Sequence, residues 1–189
     1  ETLAESEKKR NPIREIRSFP RRVLSDALKV AVSLKENNAS KPWAPTDVAN
    51  SINSKVRSST FDILLAASRE YGLTEGGPRS EAIKLTELAK RYLYPSNATS
   101  AKQSLFDSFM KVEVFRQVFD HYKDEKLPDD KYLRGTLVST FKIPDVHTDE
   151  FIKIFRGNCR FLGINADDNV SLPLDDALSI QNQDDKSLH

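Results

Sequence analysis

Three histidines, one cysteine and a few paired acids are the side chains that could carry catalysis or hold a metal. His121 and His147 stand far apart, and neither has an acid or a second histidine at a metal-ligand spacing such as His-Glu-x-x-His. Cys159 falls on an apolar stripe with no base placed beside it, so it reads as a small buried hydrophobe. A lone cysteine also excludes an internal disulfide framework and a Cys-based zinc cluster. Asp124-Glu125 and Asp129-Asp130 fit loop and helix-start positions, where carboxylates meet the helix dipole. Asp167-Asp168-Asn169 lacks the twelve-residue spacing and terminal Glu of a calcium loop. Gly76-Gly77-Pro78 has neither the Gly-x-Gly-x-x-Gly spacing nor the lysine of a phosphate loop. Asn-x-Ser/Thr triplets at Asn38, Asn97 and Asn169 would matter only after secretion. No enzyme activity, metal or cofactor is expected from these residues.

Charge is the more informative signal. The 189 residues carry a formal net charge of +1. Residues 1–164 hold 28 Lys/Arg against 22 Asp/Glu, a mildly basic +6, while residues 165–189 hold one against six, or -5. A body of +6 permits nucleic-acid binding without demanding it. No apolar run approaches the roughly 20 residues of a membrane span, and the polar stretch Glu1 to Arg10 is unlike a secretory leader. Together with the single cysteine, this leads us to expect a soluble protein of a reducing compartment, the cytoplasm, with no membrane contact.

These charges must be positioned by helices. Residues 1–20, with Arg21 and Arg22 following, read either as a loosely ordered arm or as a basic arm that lies along phosphates or a partner. Leu24, Ala27, Leu28, Ala31 and Leu34 recur on one face of a helix that ends at Asn37-Asn38. Pro45 and Asp47 suit the start of a short second helix with Val48, Ala49 and Ile52 inward. Ser58 or Ser59 can cap a third helix through Phe61, Leu64 and Leu65, and Gly72 stops it as a left-handed cap. A short strand, the Gly-Gly-Pro loop and Ile83-Lys84-Leu85 form a hairpin, and Thr86 caps the next helix. Trp43 and Tyr71 are expected to close the core.

The second half follows a similar order. Residues 100–122 read as one strongly apolar helix with Leu105, Phe106, Phe109, Val112, Phe115, Val118 and Phe119. A helix from Asp129 or Asp130 to Thr140 follows, and then one capped by Thr148 with Phe151, Ile152, Phe155, Cys159 and Leu162 on its stripe. Gly163-Ile164 ends it as Gly72-Leu73 ends the third helix, and Val170-Ser171-Leu172 alternates like Ile83-Lys84-Leu85. Two readings stand: tandem helix-helix-helix-hairpin units, or a helical bundle appended to one such unit. Residues 173–189, with Asp175-Asp176 and Asp184-Asp185, read as an acidic disordered tail.

The order of three helices and a hairpin over residues 23–93 resembles the winged helix-turn-helix superfamily. The resemblance rests on the helix pair 46–53 and 59–71, Gly72-Leu73, the turn Gly76-Gly77-Pro78, and Ile83-Lys84-Leu85-Thr86. The expected fold is mainly α with small β-hairpins: a winged-helix domain at 21–95, then a helical or second winged-helix-like domain at 96–172. The whole chain also resembles a family of small prokaryotic proteins with a winged-helix-like front and a helical back, matched here by Lys153 to Ile164. That second likeness implies no activity.

The superfamily resemblance implies DNA contact by the third helix and the wing. Base edges would be read by Lys55, Arg57, Ser58, Ser59 and Thr60, with Arg79 and Lys84 on phosphates and Thr46 or Asn50 fixing the register. Asp62 and Glu70 oppose this, since both sit on the same helix and repel phosphates. The implied role is a DNA-binding regulator or accessory factor of duplex DNA. The rival is a protein interaction module using the winged helix and the helical half without direct DNA contact. A homodimer through the 105–119 face and a protein partner of the acidic tail complete the expected partners.

Overall fold

The computed structural model describes residues 17–166 and 170. Residues 1–16 of the basic arm, the turn 167–169, Ser171-Leu172 and the acidic tail 173–189 lie outside the described residues.

The chain is mainly helical with one small antiparallel sheet. The first three helices are α1 (Leu24–Asn38), α2 (Pro45–Ser51) and α3 (Ser59–Glu70). Local chemistry sets their ends. Pro45 opens α2 at a position whose N–H needs no partner. The Ser58 hydroxyl accepts from the Phe61 N–H and caps α3. Gly72 sits just beyond α3 at φ +70, the left-handed conformation that a side chain disfavours.

The wing follows as β1 (Thr74–Glu75) and β2 (Lys84–Leu85), with Thr74 opposite Leu85 and Glu75 opposite Lys84. Trp43 extends this sheet by an antiparallel bridge to Ile83, closed by two backbone hydrogen bonds of 3.0 and 2.7 Å. Thr86 fastens the wing to the helices. Its hydroxyl donates to the Gly72 carbonyl at 2.6 Å and accepts from the Ala89 N–H at the start of α4 (Glu87–Leu93).

The expected helix over residues 100–122 is two helices, α5 (Ala98–Met110) and α6 (Glu113–His121), with a corner at Lys111-Val112. The reason is geometric. Phe109 and Val118 lie nine residues apart, about half a turn round a straight helix at roughly 100° per residue. One straight rod would aim them in opposite directions. The corner turns both stripes to the same core, and Phe109 and Phe115 stack across it at 5.4 Å. Next come α7 (Asp130–Ser139), a 3-10 turn at Asp145–His147, and α8 (Thr148–Leu162) ending at Gly163 with φ +74. Thr148 opens α8 from inside its first turn, with its hydroxyl donating to the Asp145 carbonyl.

The two halves share one buried cluster. Phe109, Phe115, Phe119, Phe151 and Phe155 pack with Phe19 and Tyr71, all with 3% exposure or less. The 105–119 face expected to seat a second protomer is therefore filled by the chain's own α8 and N-terminal segment: Phe106, Phe109, Val112, Phe115, Val118 and Phe119 are all buried. The end of the basic arm also differs from a loose strand. Phe19 is buried edge-on against Phe151 at 5.2 Å, and Arg17 pairs with Glu150. A second wing is not seen among the described residues. Val170 bridges Lys123 in parallel, and Leu127 donates to the Ala166 carbonyl.

Candidate nucleic-acid interface

Lys55, Arg57, Ser58, Ser59 and Thr60 run along the connector into α3, and Arg79 and Lys84 belong to the wing. Lys55, Arg57, Ser59, Thr60, Arg79 and Lys84 are all exposed. Ser58 is half-buried, and its hydroxyl is engaged in capping α3 and lies 3.3 Å from that of Ser54. Lys84 faces Glu75 in the strand register. The fold thus keeps these residues on one end of the molecule, but it gathers only some of them into a common cavity.

Arg57 and Arg79 are gathered. Both line a cleft of about 350 Å³ with Pro45 and Thr46 at the start of α2, and a larger one of about 640 Å³ with Asp62, Arg69, Gly77 and Ser80. Arg57 takes φ +66, a left-handed backbone that costs a non-glycine residue of order 1 kcal/mol. The wing turn is closed on itself: the Gly77 N–H donates to the Ser80 hydroxyl at 2.6 Å, and the Ser80 N–H donates to the Gly77 carbonyl. Gly76 stands at φ +95, where a Cβ would meet the Ala82 carbonyl at 2.4 Å. Gly77 leaves room for Arg69, whose Nη1 lies 3.3 Å from where a Cβ would be.

Arg69, in the last turn of α3, joins Arg57 and Arg79 although it is not among the residues expected to contact DNA. Its spacing from Asp62, seven residues, puts the two on one face of α3, but only the wing turn brings Arg69 beside Arg57 and Arg79. Ion pairs occur elsewhere on the surface, as in Lys29–Asp26, Lys90–Glu87, Arg116–Glu113, Arg134–Asp149 and Arg156–Asp130. Among the described residues, no ion pair involves Lys55, Arg57, Arg69, Arg79 or Lys84. These cations share their end of the protein with Asp62, Glu75 and Glu81 but pair with none of them. The Asp62 Oδ1 is buried without a hydrogen-bond partner.

The opposite flank of α3 forms a second cleft of about 570 Å³ between Arg17, Arg21, Asp62, Glu70 and His147. Arg17 donates to Glu150 at 2.7 Å and approaches the His147 Nδ1 at 3.5 Å. Partial burial pushes the Glu70 carboxyl above its ordinary 4.5, against the opposing pull of Arg69 and Arg17. A raised carboxyl pKa means that the folded state binds the proton more tightly than the unfolded chain. The stability this group contributes is present at low pH and falls as pH rises through 4.5 and beyond. Glu70→Gln should therefore raise Tm slightly at pH 7 and leave it unchanged near pH 3. Thermal scans across that range check it, and an equal shift at both pH values would contradict it.

His121 stacks edge-on against Tyr122 and Phe141, and Cys159 is buried in the core. No group of three His, Cys, Asp or Glu side chains suited to a metal occurs among the described residues. No helix among them is long and apolar enough to cross a membrane. The chain matches no protein-family model, no curated protein and no solved structure.

Proposed function

We propose that the chain is a winged-helix DNA-binding protein that docks α3 and the wing on duplex DNA. The observation that carries this reading is the cluster of unpaired arginines where α3 meets the wing turn: Arg57, Arg69 and Arg79 line one cleft. Three further observations support it. The bridge from Trp43 to Ile83 ties the wing to the chain between α1 and α2, and the Thr74 hydroxyl donates to that of Ser68 on α3, so the wing is fastened to both that connector and α3. Lys55, Ser59 and Thr60 stand exposed at the start of α3, where side chains of a groove-bound helix meet base edges. Among the described residues, the large apolar side chains that are exposed, Tyr94, Tyr132, Val138, Val146 and Phe161, line neither arginine cleft. A surface built for a protein partner would concentrate them there.

Binding would be electrostatic first. Arg57, Arg79 and Lys84 neutralise phosphates and release counterions, while Lys55 and the hydroxyls of Ser59 and Thr60 add limited base readout. A fluorescence-anisotropy titration with random-sequence duplex at several salt concentrations tests this. Affinity should fall steeply with salt. Arg57→Ala with Arg79→Ala should weaken binding by tenfold or more at low salt and reduce the log–log salt slope by roughly two. Absence of binding to any duplex at low salt would remove the reading and leave the interaction module as the working alternative.

A further inference from the structure

The cleft between α3 and the wing turn has a composition that a general electrostatic surface does not need. Arg57 enters from the connector, Arg69 from the last turn of α3, and Arg79 from the wing. Three separate elements converge on about 640 Å³. Of the carboxylates, only Asp62 lines it, so the side chains around the cleft sum to +2. That matches the charge of a phosphomonoester, or of two neighbouring phosphodiesters.

Two features show that the cleft is shaped as well as charged. Gly77 has no Cβ where one would press on the Arg69 guanidinium, so the exposed Arg69 side chain can approach the wing turn. The Ser80 hydroxyl is held by the Gly77 N–H at 2.6 Å, which fixes the turn carrying Arg79. The planar fork of Arg69 suits two oxygens of one phosphate. Asp62 contributes a buried oxygen with no donor. An arginine drawn in by the ligand, or a hydroxyl on the ligand itself, would supply one.

We propose that this cleft is a phosphate-binding site in which Arg69, at the last turn of α3, is the central ligand and Arg57 and Arg79 close on the same phosphate from the connector and the wing. The identity of the phosphate as that of a nucleic-acid strand rests on the DNA-binding reading, and its source is either an internal phosphodiester or a 5′-terminal monoester.

The test uses the full chain with 15N-labelled arginine side chains. Inorganic phosphate is titrated at low, constant ionic strength, with chloride as the control anion. The Nε–Hε signals of Arg57, Arg69 and Arg79 should shift together on one saturable curve with phosphate and not with chloride. Arg69→Gln should abolish saturation while leaving Tm and the far-UV spectrum unchanged. Arg69→Lys should restore part of it. In parallel, Arg69→Gln should weaken duplex binding about tenfold. Comparing 5′-phosphorylated with unphosphorylated duplex then assigns the source: tighter binding of the former marks the strand terminus, equal binding an internal phosphate. Linear shifts that are the same in Arg69→Gln would overturn the phosphate site, even if duplex DNA binds. Saturable phosphate binding at Arg69 with no duplex binding would uphold the site and discard the DNA reading.

Discussion

Phe115→Ala is expected to lower stability by about 3–5 kcal/mol, enough to leave the chain close to unfolded at 37 °C. Phe115 is fully buried and its ring packs with five others from four other parts of the chain. Its centroid lies 5.4 Å from Phe109 and Phe151, 5.9 Å from Phe155, 6.2 Å from Tyr71 and 6.4 Å from Phe19. Truncation removes the transfer free energy of the ring and opens a void between helices that are tied by other contacts, so the void cannot collapse fully. Phe115→Leu keeps most of the volume and should cost about 1.5 kcal/mol or less.

The informative readout is where the loss appears. The single tryptophan, Trp43, belongs to the wing sheet in the first half, whereas Phe115 lies on α6 in the second. Because Tyr71 at the end of α3 packs on Phe115, the two halves share one core, and they should unfold together. Urea melts followed by Trp43 fluorescence and by far-UV circular dichroism should coincide in the wild type and move equally in Phe115→Leu. A Trp43 transition left in place while the helical signal moves would mean that the halves unfold independently.

The punctuation of the fold was legible from single residues. Pro45, Ser58, Gly72, Thr86 and Gly163 each mark an element boundary, because each supplies a local geometry or cap that few other residues provide. The mainly α character and the hairpin followed from them. The corner at Lys111-Val112 did not, although the half-turn offset between Phe109 and Val118 was there to be measured. Composition hid Phe19: it sits among arginines, and only the ring cluster beneath it explains why it is buried.

The site was half legible. Arg57 and Arg79 could be named from their places beside α3 and in the wing turn, and the fold brings both to one cleft. Arg69 could not, because its role depends on the wing turn crossing over the last turn of α3, a contact set by Gly77. Lys84 fell on the exposed side of β2 as alternation requires, yet outside the arginine cleft. Non-local contact, rather than residue type, decides which cations act together.

The same holds for the contact with the next largest effect, at Asn158. Replacing Asn158 by Leu is expected to cost about 3 kcal/mol, although the position is fully buried among apolar side chains. The N-cap position of α1 is Val23, which has no side-chain acceptor for the first N–H groups of that helix. Asn158 on α8 serves instead: its Oδ1 accepts from the Leu24 N–H at 2.7 Å. Its Nδ2 donates to the Tyr71 hydroxyl at 2.8 Å, and that hydroxyl donates to the Arg22 carbonyl at 2.9 Å. Burial holds the Tyr71 phenol well above its ordinary pKa despite the opposing hydrogen bond from Asn158, so it remains a neutral donor. Leu at 158 strands the buried Leu24 N–H, about 1–3 kcal/mol, and removes the hydrogen bond to the Tyr71 hydroxyl, about 1 kcal/mol more. Tyr71→Phe removes only the last two bonds of the chain and should cost about 1–1.5 kcal/mol. The two substitutions share a hydrogen bond, so the double variant should be less destabilised than their sum by about 1 kcal/mol. Urea titrations of the four proteins measure that coupling. Asn158→Leu within 0.5 kcal/mol of wild type would show that the network is dispensable. An additive double variant would show that Asn158 acts on α1 alone, and that the end of α3 is positioned by the aromatic core without it.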